Sequence, residues 1–135
     1  MKYYLLDTSA LLTLRDDEQG AEQVAKILMQ AEAGKVTVFG CFMTLMEVLY
    51  RVWKDENEVE GKLAYEQCKS LPIVWVHEST ELLEQASEIK ANHRLSLADA
   101  WIAASALLQD ACLVHKDPEF EIIGFIKQTP LPYKG

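Results

Sequence analysis

The chain opens with an unbroken apolar run, Tyr3 to Leu6, that ends at an acid, Asp7. A continuous apolar run of this length is typical of a strand buried on both faces, as in a parallel sheet. Residues 10–12 then begin an apolar helical pattern. We therefore predict a first strand followed directly by a short helix, with an acid at the edge of the sheet where ligands bind in open α/β folds.

The same alternation of apolar runs and helical patterns continues along the chain. The predicted helices span residues 10–15, 21–33, 43–54, a segment ending near 70, 80–93 and 96–108. The predicted strands span residues 3–6, 36–39 (ended by Gly40), 73–76, 111–114 and a segment within 122–128, with a loop or short helix at 116–120 and an irregular tail from 130. This order predicts a single α/β domain, residues 1–135, built as a three-layer sandwich with a five-stranded parallel sheet flanked by helices.

Composition supports an ordinary globular protein. The chain has 135 residues, half of them hydrophobic and a quarter charged, so it can bury a core without a disulfide or structural metal. Its three cysteines, Cys41, Cys68 and Cys112, form no CxxC motif, and we interpret them as reduced core thiols. No apolar run approaches the ~20 residues of a membrane span, and the N-terminus lacks a signal-peptide layout, so we expect a cytoplasmic protein.

The net charge of −8 argues against a protein that coats nucleic acid electrostatically. It does not exclude a nuclease, because part of the negative charge could form a metal site whose ion reverses the local field.

Two acids, Asp7 and Asp117, directly follow predicted strands or lie just beyond them. The carboxyl ends of parallel strands share one edge of the sheet, so both side chains are expected there. Each acid also has a purely structural interpretation. Asp7 could cap the following helix, and Asp117 precedes Pro118 in a common turn-opening dipeptide.

Two further acids interrupt apolar helices. Asp99 is the one charge in an otherwise apolar helix, although it also lies three residues after Ser96, at the position of a capping-box acid. Glu47 lies on the polar stripe of the third helix, although it could simply form a surface ion pair with Arg51.

Carboxylates gathered at one place repel each other, and a cation among them relieves that repulsion. Mg²⁺ or Mn²⁺ suits an all-oxygen site, and no His or Cys spacing suggests zinc. His77, His93 and His115 are isolated and are interpreted as surface or hydrogen-bonded residues.

Four stretches, LLDTSALL, TLMEVLYR, LSLADAWIAASAL and LVHKDPEF, together resemble PIN-domain ribonucleases of the VapC toxin type in order and spacing. The resemblance covers essentially the whole chain. It implies a PIN-like five-stranded parallel sheet between helices, and an acidic quartet, Asp7, Glu47, Asp99 and Asp117, that binds Mg²⁺ or Mn²⁺. Ser9 matches a hydroxyl residue that supports the site. One departure is His115, which occupies a position where the family often has Thr or Ser.

The resemblance also implies a function and partners. We expect a metal-dependent endoribonuclease that hydrolyses RNA phosphodiester bonds, the toxin of a toxin–antitoxin module, with a cognate antitoxin and a homodimeric state. The alternative is a catalytically inactive PIN-like module that binds protein or RNA. A phosphatase of the haloacid dehalogenase type would need a second acid two residues after Asp7, where this chain has Ser9.

Overall fold

The structure is a computed structural model that describes residues 1–134. Its strands are β1 (Lys2–Leu6), β2 (Val36–Cys41), β3 (Val74–Val76), β4 (Cys112–His115) and β5 (Gln128–Pro130). Its helices are α1 (Thr8–Arg15), α2 (Ala21–Glu32), α3 (Phe42–Asp55), α4 (Glu58–Ser70), α5 (Thr80–Asn92) and α6 (Leu97–Leu108), and a 3-10 helix spans Pro118–Ile122. Within this range all five strands are parallel and form one sheet in the order β3-β2-β1-β4-β5, which confirms the predicted fold class.

Successive side chains of the central strands point into two different apolar cores. Leu5 and Leu113 pack with residues of α5, α6 and the 3-10 helix on one face of the sheet. Leu6 and Val114 pack with residues of α1, α2, α3 and α4 on the other face. Because helices cover both faces, side chains of both orientations are buried in the central parts of β1 and β4, which explains the continuous apolar runs.

The strand order places the carboxyl ends of β1 and β4 side by side in the middle of the sheet. Leu6 lies opposite Val114, and the backbone N–H of Asp7 donates to the Val114 carbonyl at 3.1 Å. The next strand in the sequence, β2, lies on the other side of β1. The gap between β1 and β4 is therefore the topological switch point of the sheet, where ligands bind in open α/β folds.

Two predicted strand boundaries are wrong. Gly40 does not end β2 but lies within it, opposite Trp75. Glycine is required here because a Cβ would come within 2.5 Å of the Trp75 ring. The last strand lies at Gln128–Pro130 and not within residues 122–128. Ile123 and Ile126 are buried, but they fill the core from an irregular segment, so their apolar character indicated burial and not a strand.

The cysteines are all free thiols. Cys41 and Cys68 are buried as predicted, whereas Cys112 is partly exposed, with Sγ 3.0 Å from Thr129 Oγ1. Among the helices of residues 1–134, none has the length and apolar character needed to cross a membrane.

The close packing of α3 against α4 depends on Gly61. A Cβ on Gly61 would lie 2.8 Å from the Leu49 carbonyl oxygen and 2.9 Å from the Trp53 backbone nitrogen. We expect Gly61→Ala to lower the free energy of unfolding by about 1–3 kcal/mol, because α4 must move away from α3. Denaturant unfolding measures this change. Gly124→Ala is the control, since a Cβ there meets nothing within 4 Å, and equal losses in both variants would contradict the packing argument.

Candidate metal centre

Asp7 lies in the short connection between β1 and α1 and is only 3% exposed. Its Oδ1 accepts a hydrogen bond from the Ala10 backbone N–H at 2.8 Å, so the predicted capping role is present. The Ser9 hydroxyl lies 2.7 and 2.8 Å from the two carboxylate oxygens, where its single proton can be shared. Ser9 Oγ also accepts from the Lys116 N–H at 2.9 Å, which ties the end of β1 to the segment after β4.

Asp117 lies two residues beyond β4, beside the end of β1. Its Oδ1 accepts from the Glu119 N–H at 3.0 Å and so caps the 3-10 helix, while its own N–H donates to His115 Nδ1 at 3.1 Å. This tight turn brings Glu119 back toward Asp117.

Asp99 enters from the first turn of α6. Its N–H donates to Ser96 Oγ at 3.1 Å, so the N-cap predicted at Ser96 is present, and its carboxylate is half-buried. One carboxylate oxygen each from Asp99, Asp117 and Glu119 lie within 4.8 Å of one another. Asp99 therefore donates to the capping serine through its backbone and belongs to the carboxylate group through its side chain.

Glu47 reaches the site from α3 and is only 6% exposed. Its Oε1 accepts from the Thr8 hydroxyl at 2.6 Å, and its Oε2 accepts from Arg51 Nη2 at 3.0 Å. The ion pair with Arg51 exists as the sequence suggested, but it is not a surface pair, because the carboxylate lies inside the protein. Glu47 lies outside the 4.8 Å group, although its negative charge acts on Asp99.

Burial and repulsion change the protonation of two of these acids. Burial raises the pKa of Asp7 to about 7, and the negative charges of Asp99 and Asp117 add to the rise; hydrogen bonds from Ser9 and Ala10 oppose it. Burial also raises the pKa of Asp99 to about 6, with further contributions from the charges of Asp117 and Glu47. The structure therefore disfavours the ionised forms of Asp7 and Asp99.

The structure adds two residues that the sequence analysis did not identify. Glu119 belongs to the close carboxylate group, and Thr8 orients Glu47 from the first turn of α1. The sequence did contain an indication of Glu119, because it lies two residues after Asp117 in a turn that begins at Pro118. Nothing in the sequence around Thr8 indicated a hydrogen bond to a residue 39 positions away.

Comparisons with known proteins show the family and the fold. Residues 4–126 match the PIN domain family. Similar solved structures include VapBC2 from Rickettsia felis bound to a promoter DNA fragment, with a TM-score of 0.76 and 17% identity over 96% of this chain and 98% of that chain. DNA-bound VapBC from Salmonella typhimurium has a TM-score of 0.75 and 19% identity over 96% and 98% of the two chains. Mycobacterium tuberculosis VapC20, described as a sarcin-ricin loop cleaving toxin, has a TM-score of 0.70 and 18% identity over 92% and 97%.

A comparison with curated protein sequences found no significant match. At identities below one fifth, the solved structures show a shared fold, whereas the match over residues 4–126 shows the family. The resemblance noted in the sequence is therefore confirmed: the chain belongs to the PIN domain family, and its fold is that of VapC-type members.

Proposed function

We propose that this protein is a metal-dependent endoribonuclease that hydrolyses RNA phosphodiester bonds and serves as the toxin of a toxin–antitoxin module. The PIN domain family is generally one of nucleases. The observation that carries the proposal for this chain is the convergence of Asp99, Asp117 and Glu119. The charges of Asp99 and Asp117 also act on the buried carboxylate of Asp7.

The donor set fits a hard divalent cation. In residues 1–134, the group with three ligand atoms within 4.8 Å contains only carboxylates, which suits Mg²⁺ or Mn²⁺ and not zinc. Burial and the charges of Asp99 and Asp117 raise the pKa of Asp7 to about 7, so a bound cation would favour its ionised form. We assign Asp7, Glu47, Asp99 and Asp117 as the metal-binding and catalytic acids, with Glu119 as an additional candidate and Ser9 as support.

A divalent cation bound among these acids supplies positive charge to a phosphodiester and acidity to water. The protein contributes orientation. Ser9 holds both oxygens of Asp7, while Thr8 and Arg51 each hold one oxygen of Glu47. The side chain of Arg51 is 43% exposed, so its guanidinium can contact a phosphate of the RNA while it remains paired with Glu47.

We extend the proposal to the partners that the sequence suggested: a cognate antitoxin that neutralises the protein, and a homodimer that acts in the cytoplasm. The solved structures with similar folds include toxin–antitoxin complexes, which supports an antitoxin partner.

Light scattering on the purified protein measures the oligomeric state directly, and a monomeric mass would remove the homodimer from the proposal.

Asp7→Asn should abolish Mg²⁺-stimulated cleavage of RNA and leave the fold intact. It should also raise the stability of the metal-free protein at pH 8 by roughly 1–3 kcal/mol, because the buried charge is removed. The native pKa of Asp7 lies above its ordinary value of 3.8, so wild-type stability falls as the pH rises from about 4 to about 7, and the variant lacks this fall.

Cleavage gels and thermal unfolding at pH 5 and pH 8 test this prediction. Asp17→Asn is the control, because Asp17 is an exposed acid outside the site. Cleavage by Asp7→Asn at the wild-type rate would remove Asp7 from the mechanism.

Millimolar Mg²⁺ should raise the melting temperature of the wild-type protein, because the cation binds the native state preferentially. The increase should be larger at pH 8 than at pH 6, since protons compete with the cation at Asp7 and Asp99, whose pKa values are raised to about 7 and about 6. Differential scanning fluorimetry gives both values. No increase at pH 8, or an equal increase at both pH values, would count against a metal at these carboxylates.

Glu119→Gln should weaken Mg²⁺ binding roughly tenfold or more, because an oxygen of Glu119 belongs to the close group. Glu121→Gln is the matched control: it lies on the same 3-10 helix and is exposed, but it is not part of the group. Titration calorimetry compares the two variants. Equal affinities would exclude Glu119 as a ligand.

A further inference from the structure

His115 is a completely buried polar side chain for which the proposed chemistry has no use. It is the last residue of β4 and precedes Asp117 by two positions. Its Nδ1 lies 3.1 Å from the backbone nitrogen of Asp117, and its Nε2 lies 2.9 Å from Gln128 Oε1. Both ring nitrogens therefore have hydrogen-bond partners inside the protein.

The partners determine where the ring proton lies. A backbone N–H can only donate, so Nδ1 of His115 accepts, and the proton is on Nε2, which donates to Gln128 Oε1. The orientation of the Gln128 amide is determined in turn, because its Nε2 donates to the carbonyls of Phe120 at 2.8 Å and Ile123 at 3.1 Å. Each of these donors and acceptors is satisfied, which gives the network a single low-energy arrangement.

This network holds the segment that carries two of the carboxylates. At one end His115 accepts from the N–H of Asp117, the residue that caps the 3-10 helix. At the other end, Gln128 donates to the carbonyl of Phe120 within that helix and to that of Ile123 directly after it. The ring of Phe120 packs 5.1 Å from the His115 ring, between the two ends.

We propose that His115 is a positioning residue: its Nδ1 accepts the backbone N–H of Asp117 and so fixes the start of the 3-10 helix, which directs Asp117 and Glu119 into the carboxylate cluster. The inference rests on the proposed function in one respect, namely that these carboxylates bind a divalent cation. Substitution of residues that hydrogen-bond to metal ligands and orient them typically lowers metal affinity or activity 10–100-fold.

Two substitutions separate the two contacts of the imidazole. In His115→Asn, the side-chain oxygen lies near the position of Nδ1 and can accept from the N–H two residues on, as in an Asx turn, but the side chain is too short for Gln128. In His115→Gln, the side chain can reach Gln128 but has no acceptor at the Nδ1 position.

Titration calorimetry with Mg²⁺ and RNA cleavage kinetics measure the effect. We expect His115→Asn to bind Mg²⁺ within about threefold of wild type and His115→Gln to bind it roughly 10–100-fold more weakly. At saturating Mg²⁺, His115→Gln should have a lower kcat with little change in the KM for RNA.

Val24→Ala controls for simple loss of stability, because Val24 is completely buried in the core on the α1–α4 face, away from the cluster. It should lower the melting temperature without changing the affinity for Mg²⁺. The inference is overturned if His115→Gln binds Mg²⁺ as well as wild type, or if both His115 variants weaken binding equally.

A measurement without metal tests the same inference. The ¹⁵N NMR signals of His115 in the metal-free protein at neutral pH should show an unprotonated Nδ1 and a protonated Nε2. The opposite tautomer would overturn the inference. This test separates the two proposals: if wild-type protein binds no Mg²⁺, the proposed function fails, whereas the NMR signals still decide whether His115 holds the backbone of Asp117.

Discussion

The constraint on which the rest of the structure depends is the burial of carboxylates, close to one another, beside the carboxyl ends of β1 and β4. Burial and neighbouring charge raise the pKa of Asp7 to about 7 and that of Asp99 to about 6. Ionisation of these two acids therefore lowers the stability of the folded protein when no cation is bound. A domain of this size can tolerate such a cost because two continuous apolar cores support the sheet. The proposed divalent cation would offset this cost by supplying positive charge among the carboxylates.

The fold holds these carboxylates mostly through contacts that also complete helices. Asp7 and Asp117 each accept a backbone N–H at the start of a helix, and the N–H of Asp99 donates to the capping serine of α6. A cap restricts the side chain to a narrow set of orientations, because it must satisfy an N–H that the helix leaves unpaired. For Asp7 and Asp117, the structural and functional interpretations are therefore not alternatives, because capping orients their carboxylates. The carboxylate of Glu47 is instead oriented by Thr8 and Arg51.

Sequence reasoning succeeded where a local pattern has one physical cause. Apolar runs bounded by polar residues located β1 and β4, and the rule that parallel strands end at one edge brought Asp7 and Asp117 together. It failed where the cause was a distant neighbour. Gly40 resembled a strand end until Trp75 was found packed against it, and the apolar residues before β5 fill a core without belonging to a strand.

By itself, the sequence determined the class of fold, the positions of the strands that carry the site, and the presence of acids at their ends, because each of these depends on residues adjacent in the chain. Only the tertiary structure decided which carboxylates approach within 4.8 Å, how deeply Asp7 and Glu47 are buried, and what a lone histidine contacts. Those properties arise from side chains tens of residues apart, and their energies depend on the exclusion of water, which no local pattern records.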